Sequence, residues 1–166
     1  MGFPEQPGRN LDKQELARLA SDIADQPELW SHLVAFPADR RHYVSLYRDG
    51  HIDAWLICWT ADSDTGWHDH DGSAGAVRVT VGALTESNPR MDGPPAETVV
   101  PAGASLTYEP DHIHRLTGTA AQSVSIHVYS PPLLRMGQYR TDGRGIMRRM
   151  PIGYSDELRE VAVAVG

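Results

Sequence analysis

From residue 42 to residue 130 the chain is cut into short apolar or alternating runs, and this constrains its fold more than any other feature. The runs are HYVSLYR, IDAWLICWT, AVRVTVGALTE, ETVV, ASLTYE and QSVSIHVYS. Between them stand RDG, DSDTG, SNPRMDGPP, PAG, PDH and TGTA, rich in the residues that turn a chain. Runs of this length and composition read as strands. Many short strands joined by tight turns must close into a barrel or pack as a sandwich. The expected fold is therefore mainly β, a barrel or a sandwich.

The barrel is flanked on both sides. Residues 1–10 read as a loose arm. In LDKQELARLASDIADQPELWSHLVAF, Leu11, Leu16, Leu19 and Ile23, then Leu29 and Leu33, recur at near-helical spacing. Asp25-Gln26-Pro27 interrupts the run, which predicts two N-terminal helices, the second ended by Pro37. Pro131-Pro132 stops the last barrel strand. Residues 155–164 fit a short helix or a strand equally well. The chain is thus expected to be one domain: a helical segment over 1–40, a β-barrel over 42–135 and an extension over 136–166.

The net charge of −7 excludes partners that require clustered Lys and Arg, nucleic acid first among them. It does not exclude an anionic substrate, because one buried Arg outweighs a diffuse surface charge. No apolar run reaches membrane-spanning length, and MGFPEQPGRN lacks the basic and apolar regions of a signal peptide. Gln6 stands where a myristoylation signal needs Ser or Thr. Cys58 is the single cysteine, so no internal disulfide framework exists and a cytoplasmic location is expected. A monomer or small homo-oligomer is expected.

Eight histidines occur, and two pairs have i, i+2 spacing: His68-Asp69-His70 and His112-Ile113-His114. On an extended strand such pairs leave the same face and can meet one metal ion, with a third ligand from another strand. Neutral imidazole suits iron, copper, zinc and nickel. An isolated His-x-His is more often a solvent-facing pair. Here a turn over Asp62–Gly66 puts the first pair at a strand start, and Gly75 and Gly82 follow it.

GWHDHDGSAGAVRVTVG resembles the first metal-binding motif of the cupin superfamily, and more narrowly that of the cysteine dioxygenase and thiol dioxygenase family. PDHIHRL resembles the family's second motif, with a Pro four residues before the third histidine. SVSIHVYSPP resembles its Ser-x-His-x-Tyr-Ser-Pro-Pro segment, and the Trp59 to His68 spacing in CWTADSDTGWHDH is also similar. Together these cover about residues 43–135, and the resemblance implies a cupin domain, a small jelly-roll β-barrel. The resemblance implies that His68, His70 and His114 hold iron(II), with His112 the competitor for third ligand. It implies a catalytic row of Ser125, His127 and Tyr129, whose alternation sends all three to one strand face. The implied reaction adds both atoms of O2 to a small-molecule thiol, giving a sulfinic acid.

The chain departs from the family twice. Gly75 stands at the position of the cysteine that crosslinks to the tyrosine in mammalian-type members, so no Cys–Tyr thioether is expected, as in bacterial-type members. The arginine that clamps a substrate carboxylate aligns with Val44 or Ser45. Arg48 and Arg78 are the replacement candidates, although Arg48 also suits a solvated hairpin turn and Arg78 an outward strand position. Trp67 and Tyr43 are further candidates for the substrate pocket. Thiols recognised without a carboxylate clamp, thiol-imidazoles among them, enter the range of substrates. Trp55, Trp59 and Cys58 read as core, and Arg115 as facing away from His114. Two other readings share the three histidines: a different metal-dependent cupin enzyme, such as a ring-cleaving dioxygenase or isomerase, and a non-catalytic ligand-binding cupin.

Overall fold

The computed structural model describes residues 2–153. One helix, α1 (Lys13–Ala24), precedes eleven strands: β1 (His42–Arg48), β2 (Asp53–Thr60), β3 (Trp67–Asp69), β4 (Ala74–Val81), β5 (Ala83–Asn88), β6 (Ala96–Pro101), β7 (Ser105–Tyr108), β8 (Arg115–Gly118), β9 (Gln122–Ser130), β10 (Arg135–Thr141) and β11 (Met147–Gly153). All pairings are antiparallel. A five-stranded sheet runs β1-β2-β9-β4-β7, and two three-stranded sheets run β11-β10-β3 and β6-β5-β8. Single bridges, His68 to His114 and Asp64 to Thr117, tie the smaller sheets together. The result is the expected jelly roll.

Two apolar clusters divide the core. Ile57, Trp59, Val77, Val79, Leu84, Leu116 and Met136 fill the space between the large sheet and the smaller ones. Leu16, Leu19, Ala20 and Ile23 of α1 cover the other face of the large sheet, against Leu56, Ile126 and Val128. With both faces covered, β9 is buried from Ser123 to Ser130. The helix starts at a capping box: Asp12 accepts from the amides of Gln14 and Glu15, and Glu15 accepts from the amide of Asp12.

The second expected helix does not form. Pro27–Leu29 and Ser31–Leu33 are single 3-10 turns with no side-chain cap, and Trp30 between them has φ −140°. So few residues between Pro27 and Pro37 give no room for a nucleated α-helix. The run AVRVTVGALTE is also not one strand. It breaks at Gly82 (φ +71°), where the chain passes from the large sheet to a smaller one. The hairpin β10–β11 is an addition the sequence did not announce. It begins at Arg135, the last residue of the expected barrel, and pairs directly with β3. The expectation for residues 155–164 lies outside the described residues. Among those described, no helix is long and apolar enough to cross a membrane.

Candidate metal centre

His68 and His70 project from β3 and its C-terminal edge, and His114 immediately precedes β8. Two backbone hydrogen bonds join the segments, His68 N to His114 O (2.9 Å) and His114 N to His68 O (3.0 Å). They bring the three imidazoles together: one ring nitrogen from each lies within 4.8 Å of the others, and all three rings are buried. Burial is the largest cause holding each below the ordinary histidine pKa, and the neighbouring imidazoles add to it for His68 and His70. All three are therefore neutral, the form that binds metal.

Two ring orientations follow from the hydrogen bonds. His68 Nδ1 donates to the Gly66 carbonyl (3.0 Å), which can only accept. His114 Nδ1 donates to Glu86 Oε1 (2.8 Å). Hydrogen bonds from His112 and His114 outweigh the effect of burial on Glu86 and bring its pKa down to about 2, so it is a carboxylate. His114 Nε2, turned toward the other rings, is buried and has no hydrogen-bond partner. Unpaired buried nitrogen among neutral imidazoles is the donor set that a borderline divalent cation fits. His112 Nε2 reaches the same Glu86 Oε1 (3.2 Å), outside the three-imidazole cluster. Glu86 was absent from the sequence reading, yet it stands two residues after the fully buried Leu84, where strand alternation points inward.

The row on β9 is present. Ser125 Oγ lies 2.8 Å from His127 Nε2, and His127 Nδ1 lies 3.3 Å from the Tyr129 hydroxyl. The structure adds Trp59, whose indole N–H donates to Ser125 Oγ (2.8 Å). Indole can only donate, so Ser125 accepts from it and can give its own hydrogen to His127 Nε2. His127 then carries its proton on Nδ1 and donates to Tyr129 Oη. Burial first, and the Arg41 cation second, depress the His127 pKa to about 3. Tyr129 lies against His70, ring centroids 5.4 Å apart.

The histidines and Tyr129 face a tight pocket that is also lined by Ile57, Trp59, Thr65, Tyr108, Leu116, His127 and Arg41. Arg41 is the residue that sequence reasoning missed. It is only 3% exposed, and its guanidinium sits 5.1 Å from the Trp59 ring centroid. In the sequence it is hidden beside Arg40, which is solvent-exposed. Tyr108 covers Gly75: a Cβ there would lie 2.6 Å from Tyr108 Cζ. The Tyr108 ring instead stacks on His70 at 4.4 Å.

The four substrate-pocket candidates do not line this space. Arg48 pairs with the buried Asp53 (2.5 Å). Arg78 points outward and reaches Ser105 Oγ (3.3 Å), as alternation along β4 dictates. Tyr43 packs edge-on to Trp55, and Trp67 leaves β3 on the face opposite His68. Arg115 does face away, holding Asp64 through its Nε (2.9 Å).

The sequence profile of the family described as cysteine dioxygenase type I matches residues 7–142. Among solved structures, the chain is similar to a Thermus thermophilus protein at 13% identity, over 61% of this chain and 92% of that one, with a TM-score of 0.53. It is similar to a Klebsiella pneumoniae protein described by its double-stranded β-helix domain, at 12% identity over 61% and 80% and a TM-score of 0.54. A cupin superfamily protein from Desulfitobacterium hafniense matches at 9% identity over 61% and 87%, with a TM-score of 0.53. At these identities the structural likenesses establish the fold alone: a cupin double-stranded β-helix.

Proposed function

This chain belongs to the cysteine dioxygenase type I family, and on that premise we propose that it is an iron(II)-dependent dioxygenase converting a small thiol to its sulfinic acid. The observation that carries the reading is the juxtaposition of three neutral, buried imidazoles with the hydrogen-bonded Ser125-His127-Tyr129 row in one enclosed space. The balanced reaction takes RSH and O2 to RSO2⁻ and H⁺. His68, His70 and His114 would hold iron(II), which when bound supplies the redox chemistry between thiol and dioxygen.

The chain's own groups do the rest. Glu86 fixes the His114 ring so that Nε2 faces the centre, and its charge offsets part of that of a bound cation. Ile57, Trp59, Leu116 and Tyr108 exclude bulk water. His127, with its pKa near 3, holds no second proton at neutral pH. The row therefore acts by orientation: His127 donates to Tyr129 Oη, and Tyr129 presents its own O–H to the reacting groups. Arg41, a buried fork of donors in the same space, suits the carboxylate of a mercapto acid.

Iron-loaded protein is expected to consume O2 in proportion to added mercapto acid and to release a sulfinate. Tyr129→Phe should reduce turnover at least tenfold with iron content unchanged. Absence of thiol-dependent O2 uptake across mercapto acids and amino thiols would refute the reading, and full activity in Tyr129→Phe would favour another metal-dependent cupin reaction.

A further inference from the structure

We infer that the hairpin β10–β11 is a clip that sets the metal affinity of the His68-Asp69-His70 segment, and that Arg149 is its positioning residue. The inference rests on the proposed metal centre but turns on Arg149, which lies beyond residue 142, where the family profile match ends.

The segment is poorly held by its own sheet. β3 is three residues long. On one edge it has a single bridge, to His114. On the other edge it pairs with β10, through Asp69 with Gly137, His68 with Gln138 and Trp67 with Tyr139. Alternation sends His68 and His70 into the centre and Asp69 the opposite way, toward the hairpin. Whatever holds Asp69 therefore holds the midpoint between the two imidazoles.

Asp69 is held from several directions. Its Oδ1 accepts from Asp71 N (3.0 Å), Gly137 N (3.0 Å) and Arg149 Nη2 (2.8 Å). Its Oδ2 accepts from Tyr139 Oη (2.6 Å) and Arg149 Nε (2.8 Å). Arg149 makes the two-pronged bond that only a guanidinium makes to a carboxylate, and it also reaches Asp71 Oδ1 (2.9 Å) on the turn just after His70. The fork lies across Gly137: a Cβ there would stand 2.6 Å from both Arg149 Cζ and Asp69 Oδ2. Glycine at 137 thus admits the guanidinium. Without Arg149 the buried Asp69 charge loses its paired cation, the strand rotates toward solvent to hydrate it, and the His68 and His70 nitrogens leave their common focus.

Cobalt(II) titration followed by visible absorption tests this, because the cobalt spectrum reports both affinity and ligand geometry. The wild type should bind one ion. Arg149→Met should bind about 10- to 100-fold more weakly with a changed spectrum, and Arg149→Lys should fall between, keeping the charge but not the fork. Arg148→Met is the control, since Arg148 pairs with Asp142 on the same hairpin and leaves Asp69 untouched. A general loss of stability leaves the affinity of the folded fraction unmoved. If Arg149→Met does not fold, Tyr139→Phe and Gly137→Ala carry the test, each expected to weaken cobalt binding. Wild-type affinity and spectrum in Arg149→Met, or in both substitutes, overturn the clip alone. No cobalt binding by the wild type overturns the metal centre and the clip together.

Discussion

Arg41 offers the sharpest test of substrate choice. Its guanidinium is almost fully buried over the Trp59 ring, and its charge acts on Asp64, His68 and His127. A hydrogen bond to a charged group contributes about 1.5–3 kcal/mol. Replacing Arg41 with Met, which keeps most of the volume against Trp59, should therefore raise KM for a carboxylate-bearing thiol about 10- to 150-fold. The imidazoles should stay neutral without Arg41, because burial is the largest cause depressing both His68 and His127. Turnover at saturation should thus change less than KM. The assay is O2 consumption by iron-loaded wild type and Arg41→Met, with 3-mercaptopropionate and cysteamine as substrates that differ in carrying a carboxylate. The carboxylate thiol should lose its advantage in the variant while cysteamine changes little. An unchanged ratio of the two KM values would refute a role for Arg41 in anion binding.

Trp59→Phe removes the donor that orients Ser125; turnover should fall about tenfold if roughly 1.4 kcal/mol of orientation is lost, with iron content unchanged, and full turnover would show that the row orients itself. His127 makes the metal-free protein acid-sensitive. Its folded pKa is about 3 against an ordinary value near 6.5, so between those values the unfolded state binds the extra proton and the native state does not. Stability should therefore be lost as pH falls from about 6.5 toward 3, by an amount on the order of 4 kcal/mol in full. Urea midpoints of metal-free His127→Phe should fall less steeply over that window, and parallel slopes would refute the assignment.

The strands were legible where both the composition and the period were strong. β2 and β9 bury Ala54, Leu56, Ile126 and Val128 in apolar runs, and their bounds, like those of β1, follow the runs closely. The hairpin β10–β11 was not legible, because RMGQYRT and MRRMPIG carry polar groups that face β3 or solvent rather than an apolar core. The histidine cluster could be anticipated because i, i+2 spacing is a property of a single strand. Glu86, Trp59 and Arg41 could not be read the same way. Each acts across the barrel on a partner 28 or more residues away, or through a ring packed on another strand. Arg78 misled for the complementary reason: a charge in an apolar run draws notice, yet alternation already pointed it outward.

Charge balance joins these residues into one constraint on the substrate. Burial keeps His68, His70, His114 and His127 neutral. The remaining formal charges at the centre are the Arg41 cation and the Glu86 carboxylate behind His114. Arg41 also acts on Asp64, so it does not cancel Glu86, and a bound dication beside Glu86 would keep part of its charge uncompensated. Buried charge of that kind is costly unless it is paired. A mercapto acid ionised at sulfur brings negative charge to that cation, and its carboxylate suits the Arg41 guanidinium. An amino group on the same molecule would return one positive charge, and no Asp or Glu is among the described residues that line the space. On this reasoning amine-free mercapto acids should bind more tightly than the corresponding amino acids, and amino thiols without a carboxylate most weakly. The order follows from what the pocket lacks as much as from Arg41.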